Sequence, residues 1–300
     1  MQLNLIIGIL IGVTSMLLLL VGTIQWKKGR AQRKGKQGEH FVSRELKKLK
    51  KSDYITLNDL LLPTAGGNTS QIDHVVVSSR GIFVIETKNL AGRIYGSENS
   101  HYWQQRMADQ SRTIYNPLIQ NEAHIRVLRR ILKDISPEYF FSVIVFTDAT
   151  YIDVKAEDII RKRHLLPDKH ILRTFMPSER RAGHWWRPGR EIRLDETKVI
   201  VTLDELLFEL NRRKRIIDRK DLNSICEKIQ AVAIVNKDER RRHTEYVKAT
   251  SASNAQKIKQ GICPRCGGRL VVRRTDNGEF MGCENYPRCR FTCSTDRVVF

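Results

Sequence analysis

Three ionisable residues in one short, largely apolar stretch could together carry out metal-dependent phosphodiester hydrolysis. Asp73 lies in a run rich in Val and Ile, and Glu86 and Lys88 lie in a second such run after a turn at residues 79–81. Two neighbouring carboxylates repel each other unless a cation lies between them, and Mg²⁺ prefers one or two carboxylates together with phosphate oxygens and water. A lysine beside the metal can orient or deprotonate the attacking water. We therefore predict that Asp73 and Glu86 hold Mg²⁺ or Mn²⁺ and that Lys88 assists the attacking water.

The register of the predicted hairpin decides whether the two carboxylates meet. Strands over residues 72–78 and 82–87, with Ser79 and Arg80 at the turn, place Asp73 opposite Glu86 on one face of the sheet. Lys88 shares that face because it follows Glu86 by two residues. A bulge at the turn would shift the register by one residue. A surface hairpin with a simple carboxylate–lysine ion pair is the alternative, and the apolar strands around the carboxylates argue against it.

This stretch resembles the PD-(D/E)xK nuclease superfamily, and its wider context resembles one branch, the nuclease-related domain (NERD) family. The similarity covers roughly residues 35–150 and, more loosely, residues up to about 215. It rests on the following residues: Gly38-Glu39, Gln71 to His74, Gly81 to Lys88, Trp103 and Asn116 to Gln120. It implies an α/β fold, namely a restriction-endonuclease-like mixed sheet flanked by helices, and metal-dependent cleavage of nucleic acid.

The same resemblance implies two further catalytic candidates, Glu39 and Gln120. Glu39 lies in the first turn of a predicted amphipathic helix over residues 36–51. There it is either another acidic group near the metal or a partner for the helix dipole. Gln120 lies one turn before His124 on a helix predicted from residue 117 to about residue 132. The alternative role for Gln120 is a helix cap or a surface hydrogen bond. A largely apolar run at residues 141–146 predicts a buried strand beside this helix.

The N-terminus predicts a membrane anchor. Residues 5–24 carry no charge, and at about 1.5 Å per residue they span about 30 Å, the thickness of a bilayer core. A cleaved signal peptide is the alternative, but no Lys or Arg precedes the run and a small-residue cleavage site is missing. Trp26 and a cationic cluster at residues 27–36 follow directly. The positive-inside rule then predicts a single-pass protein of the cell membrane with its N-terminus out and its body cytoplasmic.

The C-terminus predicts a structural zinc site. Cys263 and Cys266 form one pair, and Cys283 and Cys289 form a second pair 16 residues further on. Four thiolates complete the tetrahedral coordination of Zn²⁺. A unit of about 40 residues needs such a metal site for stability, because its hydrophobic core is small. Disulfides are the alternative, which the predicted cytoplasmic location disfavours. Cys293 is left over as a predicted free thiol.

This C-terminal segment resembles the four-cysteine zinc finger of type I topoisomerases, over about residues 262–293. That resemblance implies binding to single-stranded DNA. The residue types agree, because aromatic rings can stack on bases while arginines contact phosphates. The predicted nucleic-acid-binding residues are Phe280, Tyr286, Phe291, Arg273, Arg274, Arg288 and Arg290. A purely structural ribbon or a protein-docking module is the alternative.

The overall charge favours a polyanionic partner. Lys and Arg total 53 against 33 Asp and Glu, a formal net charge of +20 spread along the chain. Nucleic acid, with DNA favoured over RNA, and an anionic membrane both fit this charge. The sequence shows neither a phosphate-cradling glycine loop nor a Ser/His/Asp arrangement. We therefore predict a membrane-anchored nuclease, with a non-catalytic scaffold that tethers DNA or a protein to the membrane as the alternative.

The predicted domain organisation follows from these segments. In chain order, it consists of an anchor (1–26), a basic juxtamembrane segment (27–36), a nuclease-related core (37–150), the remainder of that domain with a helical extension (151–236), a linker (237–260) and a zinc finger (261–300).

Overall fold

The computed structural model describes residues 16, 29–30, 32–108, 110–155, 192–194, 196–275, 278–293, 295 and 298. Among these residues, no helix is both long enough and apolar enough to cross a membrane. Apart from Met16, the predicted anchor at residues 5–24 lies outside the described residues.

The described residues form a mixed α/β structure followed by a small β unit, as the sequence predicts. The strands are β1 (Tyr54–Pro63), β2 (Thr69–Ser78), β3 (Gly81–Lys88), β4 (Gly92–Ser97), β5 (Tyr102–Arg106), β6 (Ser111–Tyr115), β7 (Phe140–Phe146), β8 (Ala149–Lys155), β9 (Ile192–Arg193), β10 (Lys198–Thr202), β11 (Leu270–Thr275), β12 (Gly278–Cys283) and β13 (Thr292–Cys293). The helices are α1 (residues 32–46), α2 (Pro117–Ile131), α3 (Leu206–Asn211), α4 (Asp221–Ala231) and α5 (Lys237–Lys259).

The large sheet has the strand order β1-β2-β3-β7-β10-β9, with β3, β7 and β10 parallel and the other neighbours antiparallel. Helices cover both of its faces. On one face, α2 and α4 pack against β1, β2 and β3, and on the other, α1 and α3 pack against β2, β3, β7 and β10. The largely apolar sequence of β7 follows from this arrangement, since a central parallel strand is buried on both faces.

The β2–β3 hairpin has the register that the sequence predicts. His74 pairs with Ile85 and Ser78 pairs with Gly81, so no bulge shifts the strands. Gly81 has a φ of 128°, and a side chain there would collide with Phe141. The hairpin therefore requires glycine at this turn, both for its backbone conformation and for the close approach of β7.

Two features were not predicted from the sequence. Strands β6, β5, β4 and β8 form a second, four-stranded sheet. Trp103 of this sheet packs in one hydrophobic cluster with Leu118 of α2 and Ile144 of β7. The predicted linker at residues 237–260 forms the helix α5, whose helical structure the sequence analysis did not predict. The helix begins at an Asn236 cap that accepts hydrogen bonds from Asp238 N and Glu239 N. Polar residues all around a helix are typical of a solvent-exposed connection between folded units.

Candidate active site and metal centre

The end of the β2–β3 ladder brings the two predicted metal-binding carboxylates together. Asp73 and Glu86 are the next positions after the His74–Ile85 pair. Oδ2 of Asp73 accepts a hydrogen bond of 2.9 Å from the backbone N–H of Thr87, the residue after Glu86. The Asp73 side chain is therefore fixed beside the segment of β3 that carries Glu86.

Glu86 is buried, with 2% exposure, and Lys88 pairs with it at 2.6 Å between Nζ and Oε1. Burial alone would raise the pKa of the Glu86 carboxyl. The charge of Lys88 and the proximity of His124 outweigh that burial, so this pKa lies below its usual range. Glu86 is thus an ionised carboxylate in an interior position at neutral pH.

Asp73 behaves in the opposite way. Burial raises its pKa well above the usual range, and the negative charge of Glu86 raises it further, although the hydrogen bond from Thr87 N opposes this shift. Without a cation, the pair therefore favours one proton on Asp73. A divalent ion would reverse that preference, because it stabilises both carboxylates in their charged forms.

Glu39 belongs to the same electrostatic cluster. Burial raises its pKa, and the charges of Asp59 and Glu86 add to that rise. Gly38, its neighbour on α1, makes this placement possible, since a Cβ there would lie 2.6 Å from Cβ of Asn89, just beyond the end of β3. The Gly38-Glu39 pair in the sequence thus marks the close approach of α1 to the candidate site.

Gln120, the other candidate, lies on α2 and contacts Lys88. Its Oε1 accepts a hydrogen bond of 3.0 Å from Lys88 Nζ. Buried Asn121 holds helix α2 over β3, since its side chain donates to Val84 O at 2.8 Å. Asn116 ties the start of the helix to the turn between β4 and β5, since its side chain donates to Ser100 O at 2.7 Å. The side chain of Gln120 therefore contacts a residue of the candidate site and does not cap the helix.

Sequence reasoning did not assign His124 and Ser70 to the site. Nε2 of His124 lies 3.3 Å from Glu86 Oε2, and its Nδ1 lies 2.8 Å from Ser70 Oγ. The spacing of Gln120 and His124, one helical turn apart, was the signal in the sequence. The contribution of Ser70 arises only when β2 places it beneath α2.

The donor set of Asp73 and Glu86 fits a hard divalent cation. Glu86 Oε2 is buried and has no aligned hydrogen-bond donor in the described part of the chain, since His124 Nε2 is close but poorly oriented. An unsatisfied buried carboxylate oxygen is costly unless a cation contacts it. Among the described residues, the only group with three or more His, Cys, Asp or Glu ligand atoms within 4.8 Å of one another is a set of four cysteines. Asp73 and Glu86 would thus supply two ligands and leave the rest to water and phosphate, as Mg²⁺ prefers.

The set of four cysteines is the predicted zinc site: Cys263, Cys266, Cys283 and Cys289. The Sγ atoms of Cys263 and Cys289 are 3.7 Å apart, and those of Cys266 and Cys283 are 3.3 Å apart. Four sulfurs around Zn²⁺ at about 2.3 Å are about 3.8 Å from one another, so the geometry fits tetrahedral zinc. Cys293 is buried in β13 and stands outside this group.

The local environment distinguishes the thiols of this site. A hydrogen bond from the backbone of Gly268 is the largest of the influences that lower the pKa of Cys266 to about 6. Burial raises the pKa of Cys283 to about 12. Bound Zn²⁺ would hold all four sulfurs as thiolates, so metal binding is expected to release protons.

The zinc ribbon packs against the small sheet, which changes the expected role of Phe291. Its ring centre is 5.7 Å from that of Tyr102 and 5.5 Å from that of His101, and Phe291 is only 4% exposed. Phe291 is therefore a docking residue, and the prediction that it stacks on bases is wrong for this arrangement.

The other predicted contacts of the ribbon remain accessible. Tyr286 is 60% exposed, and the Arg273 guanidinium lies 5.5 Å from its ring centre. Phe280 is half-buried. The exposed arginines of the set are Arg274, Arg288 and Arg290.

Two parts of the chain match known protein families. Residues 34–147 match the nuclease-related domain, and residues 260–298 match the topoisomerase DNA-binding C4 zinc finger. The chain thus contains a nuclease-related domain and a C4 zinc finger, which confirms both resemblances. The first match includes every residue of the carboxylate site described above.

The curated relatives share only parts of this chain. An uncharacterized protein of Bacillus anthracis is 40% identical over 111 residues, 37% of this chain and 52% of that protein. DNA topoisomerase 1 of Methanothermobacter thermautotrophicus is 39% identical over 77 residues, 26% of this chain and 11% of the topoisomerase. DNA topoisomerase 1 of Archaeoglobus fulgidus is 61% identical over 33 residues, 11% of this chain and 5% of the topoisomerase. The chain thus spans about half of the first relative and a small part of each topoisomerase, and no solved structure matches it.

Proposed function

We propose that this protein is a divalent-metal-dependent nuclease that hydrolyses phosphodiester bonds of nucleic acid, with DNA as the favoured substrate. The observation that carries the proposal is the convergence of Asp73, Glu86 and Lys88 at one end of the sheet, with a buried Glu86 oxygen that has no aligned donor among the residues the structure describes. The mixed sheet that carries them is consistent with a restriction-endonuclease-like fold.

Each residue of the site has a distinct proposed role. Asp73 and Glu86 hold Mg²⁺ or Mn²⁺, which would supply charge stabilisation to the scissile phosphate and lower the pKa of an attacking water. Lys88 is close enough to that carboxylate pair to orient the water, and its hydrogen bond to Gln120 holds the ammonium in place. Glu39 adds negative charge near the pair and thereby favours cation binding.

The zinc finger is proposed to hold DNA. Tyr286 with Arg273 offers an exposed ring and a guanidinium, which is the combination that binds single strands without sequence preference. The topoisomerases that share this segment act on DNA by name, which supports DNA over RNA.

The N-terminal segment is proposed to anchor the protein in the cell membrane, with the body in the cytoplasm. The support is the uncharged run at residues 5–24 and the cationic cluster that follows it. The nuclease would then act on nucleic acid close to the membrane.

The proposal is tested by incubating the full-length protein in detergent with labelled DNA and RNA, single- and double-stranded, with Mg²⁺ or Mn²⁺. We expect cleavage with the metal and loss of cleavage in Glu86→Gln, a variant of nearly the same size. A matched control is Glu98→Gln, since Glu98 pairs with Lys198 at the start of β10. A wild-type protein that binds DNA but cleaves no substrate with any divalent ion would instead support the non-catalytic scaffold.

A further inference from the structure

The outer face of the small sheet is unusually rich in tyrosine. Four of the eight tyrosines of the chain lie on strands β4, β5, β6 and β8. These residues are Tyr95, Tyr102, Tyr115 and Tyr151. Ile94 and Trp103, their neighbours in sequence, face the opposite side and are fully buried against the core. The tyrosines therefore occupy the face that the core does not use.

The rings on this face contact one another across the strands. Tyr95 and Tyr151 have ring centres 5.7 Å apart, and Tyr102 and Tyr115 have ring centres 5.9 Å apart. Tyr115 is 45% exposed and Tyr95, Tyr102 and Tyr151 are half-buried, so each pair is open on one side.

Arginines accompany the rings. The guanidinium of Arg106 lies 5.0 Å from the ring centre of Tyr95, and Arg93 pairs with Arg106 across β4 and β5. Both arginines are exposed. Asp153 on β8 adds one negative charge near Tyr151, and the two arginines outweigh it.

This face is continuous with the docked zinc ribbon. Tyr102 contacts both Tyr115 and Phe291, and Arg265 of the first cysteine pair lies 3.2 Å from His101 at the start of β5. The outer tyrosines thus lie on a surface that adjoins the docked zinc ribbon, which also carries the exposed ring of Tyr286.

We propose that the outer face of the small sheet binds single-stranded nucleic acid, with Tyr95, Tyr151 and Tyr115 as stacking platforms and Arg93 and Arg106 as phosphate contacts. Every base has a π-face, and aromatic rings bordered by arginine bind single strands whatever their sequence. A duplex keeps its bases stacked internally, so it gains nothing from the tyrosines. The inference rests on the proposed function for its choice of polymer and adds the substrate class, a single strand.

The test is a binding measurement that does not depend on cleavage. Full-length protein in detergent, carrying Glu86→Gln, is titrated against a fluorescent single-stranded oligonucleotide and against the matching duplex, without added divalent metal. Fluorescence anisotropy gives the affinity as a function of salt concentration. Zinc content and circular dichroism confirm that each variant is folded.

We expect Tyr95→Leu with Tyr151→Leu to weaken single-strand binding by about tenfold or more and to leave duplex binding within about twofold. The matched pair Tyr95→Phe with Tyr151→Phe keeps the rings and should retain the affinity. Tyr246→Leu, on the exposed side of α5, controls for loss of a surface tyrosine.

Arg93→Gln with Arg106→Gln should reduce the salt dependence of single-strand binding by about 1.4 in slope, as two lost phosphate contacts require. The control is Lys50→Gln with Lys51→Gln, which removes the same amount of charge just before β1. The start of β1 lies at the far end of the large sheet from Glu86. This control should change the salt dependence of single-strand binding less than the arginine pair does.

The proposal would be overturned by two results together. Single-strand affinity would be unchanged in the variant with Tyr95→Leu and Tyr151→Leu, and the arginine variant would show the same salt dependence as the lysine control. The rings would then serve only in packing. The same conclusion would follow if the two tyrosine-to-leucine substitutions abolished binding to anionic vesicles or to a protein and left the nucleic-acid affinity intact. Because no cleavage is measured, a catalytically inactive protein would fail the proposed function without affecting this result.

Discussion

His124 places its Nε2 3.3 Å from Oε2 of Glu86, and its other ring nitrogen lies 2.8 Å from Ser70 Oγ. A hydroxyl, an imidazole and a buried carboxylate therefore follow one another from β2 through α2 to β3. Such partners orient a metal-binding carboxylate, and their loss typically costs about 10- to 100-fold in metal affinity or activity.

We predict that His124→Ala lowers cleavage activity about 10- to 100-fold and raises the Mg²⁺ concentration needed for half-maximal rate. Ser70→Ala should have a smaller effect in the same direction, because it removes only the contact that orients the ring. Cleavage rates are measured against Mg²⁺ concentration and pH. A His124→Ala protein with wild-type metal dependence and pH profile would show that the imidazole only fills space.

A second histidine predicts acid sensitivity of the fold. His74 is 2% exposed, its Nδ1 lies 2.7 Å from Asn58 Oδ1, and burial lowers its pKa to about 4. Because the folded pKa lies below the unfolded value of 6.5, the unfolded chain takes up a proton first as the pH falls. The contribution of neutral His74 to stability is therefore fully present above about pH 6.5 and is lost as the pH falls towards 4, by about 3 kcal/mol at the lower end.

The measurement is the free energy of unfolding of wild type and His74→Gln between pH 7 and pH 4.5. The glutamine variant should lose less stability over this interval, because it cannot take up the proton. Glu86 contributes at lower pH, since its folded pKa lies below 4.5. Parallel curves for the two proteins would mean that His74 does not titrate in this way.

The proposed zinc site predicts that substituting a ligand cysteine abolishes zinc binding, whereas substituting a nearby cysteine outside the site does not. Cys283→Ser should abolish stoichiometric zinc and expose the C-terminal ribbon to protease, because metal affinity in such units is folding free energy. Cys293→Ala is the matched control: it removes a buried thiol outside the four-cysteine group and should keep one zinc per chain. Zinc is measured by native mass spectrometry. Full zinc in Cys283→Ser with loss in Cys293→Ala would show that the ligand set is wrong.

The proposed anchor predicts membrane attachment that salt does not reverse. Residues 5–24 are uncharged and long enough to span a bilayer core, so the full-length protein should stay with membranes through high-salt and alkaline washes. A variant lacking residues 1–26 should be recovered in the soluble fraction. Release of the intact protein by salt alone would assign the attachment to the basic residues that follow the run.

The candidate site could be predicted where local sequence determines geometry. The β2–β3 register follows from Val/Ile-rich strands and a turn that requires Gly81, so Asp73 and Glu86 were placed correctly relative to each other. The zinc ligands follow from cysteine spacing in the same way. Long-range packing was not accessible from the sequence, because Phe291 is buried only where the fold brings it to Tyr102.

The unpredicted elements lack a hydrophobic period. Strand β4 reads Gly-Arg-Ile-Tyr-Gly-Ser, with one fully buried residue, and its partners are similarly short and polar. Helix α5 is polar around most of its circumference, with Ile258 as its buried residue, so its sequence resembles that of a linker. Periodicity identifies elements that bury a long apolar face, and these elements bury only a few hydrophobic side chains, such as Ile94, Trp103 and Ile258.

The most direct test of the central claim is the Mg²⁺ dependence of single-turnover cleavage by wild type, Asp73→Asn, Glu86→Gln and Lys88→Met. We expect no detectable cleavage in Glu86→Gln, cleavage in Asp73→Asn only at far higher Mg²⁺, and a strongly reduced maximal rate in Lys88→Met. The Lys88 variant should keep nearly the wild-type Mg²⁺ dependence, because Lys88 acts on the water rather than on the metal. Cleavage that persists undiminished in both the Asp73 and the Glu86 variants would place the active site elsewhere and contradict the account.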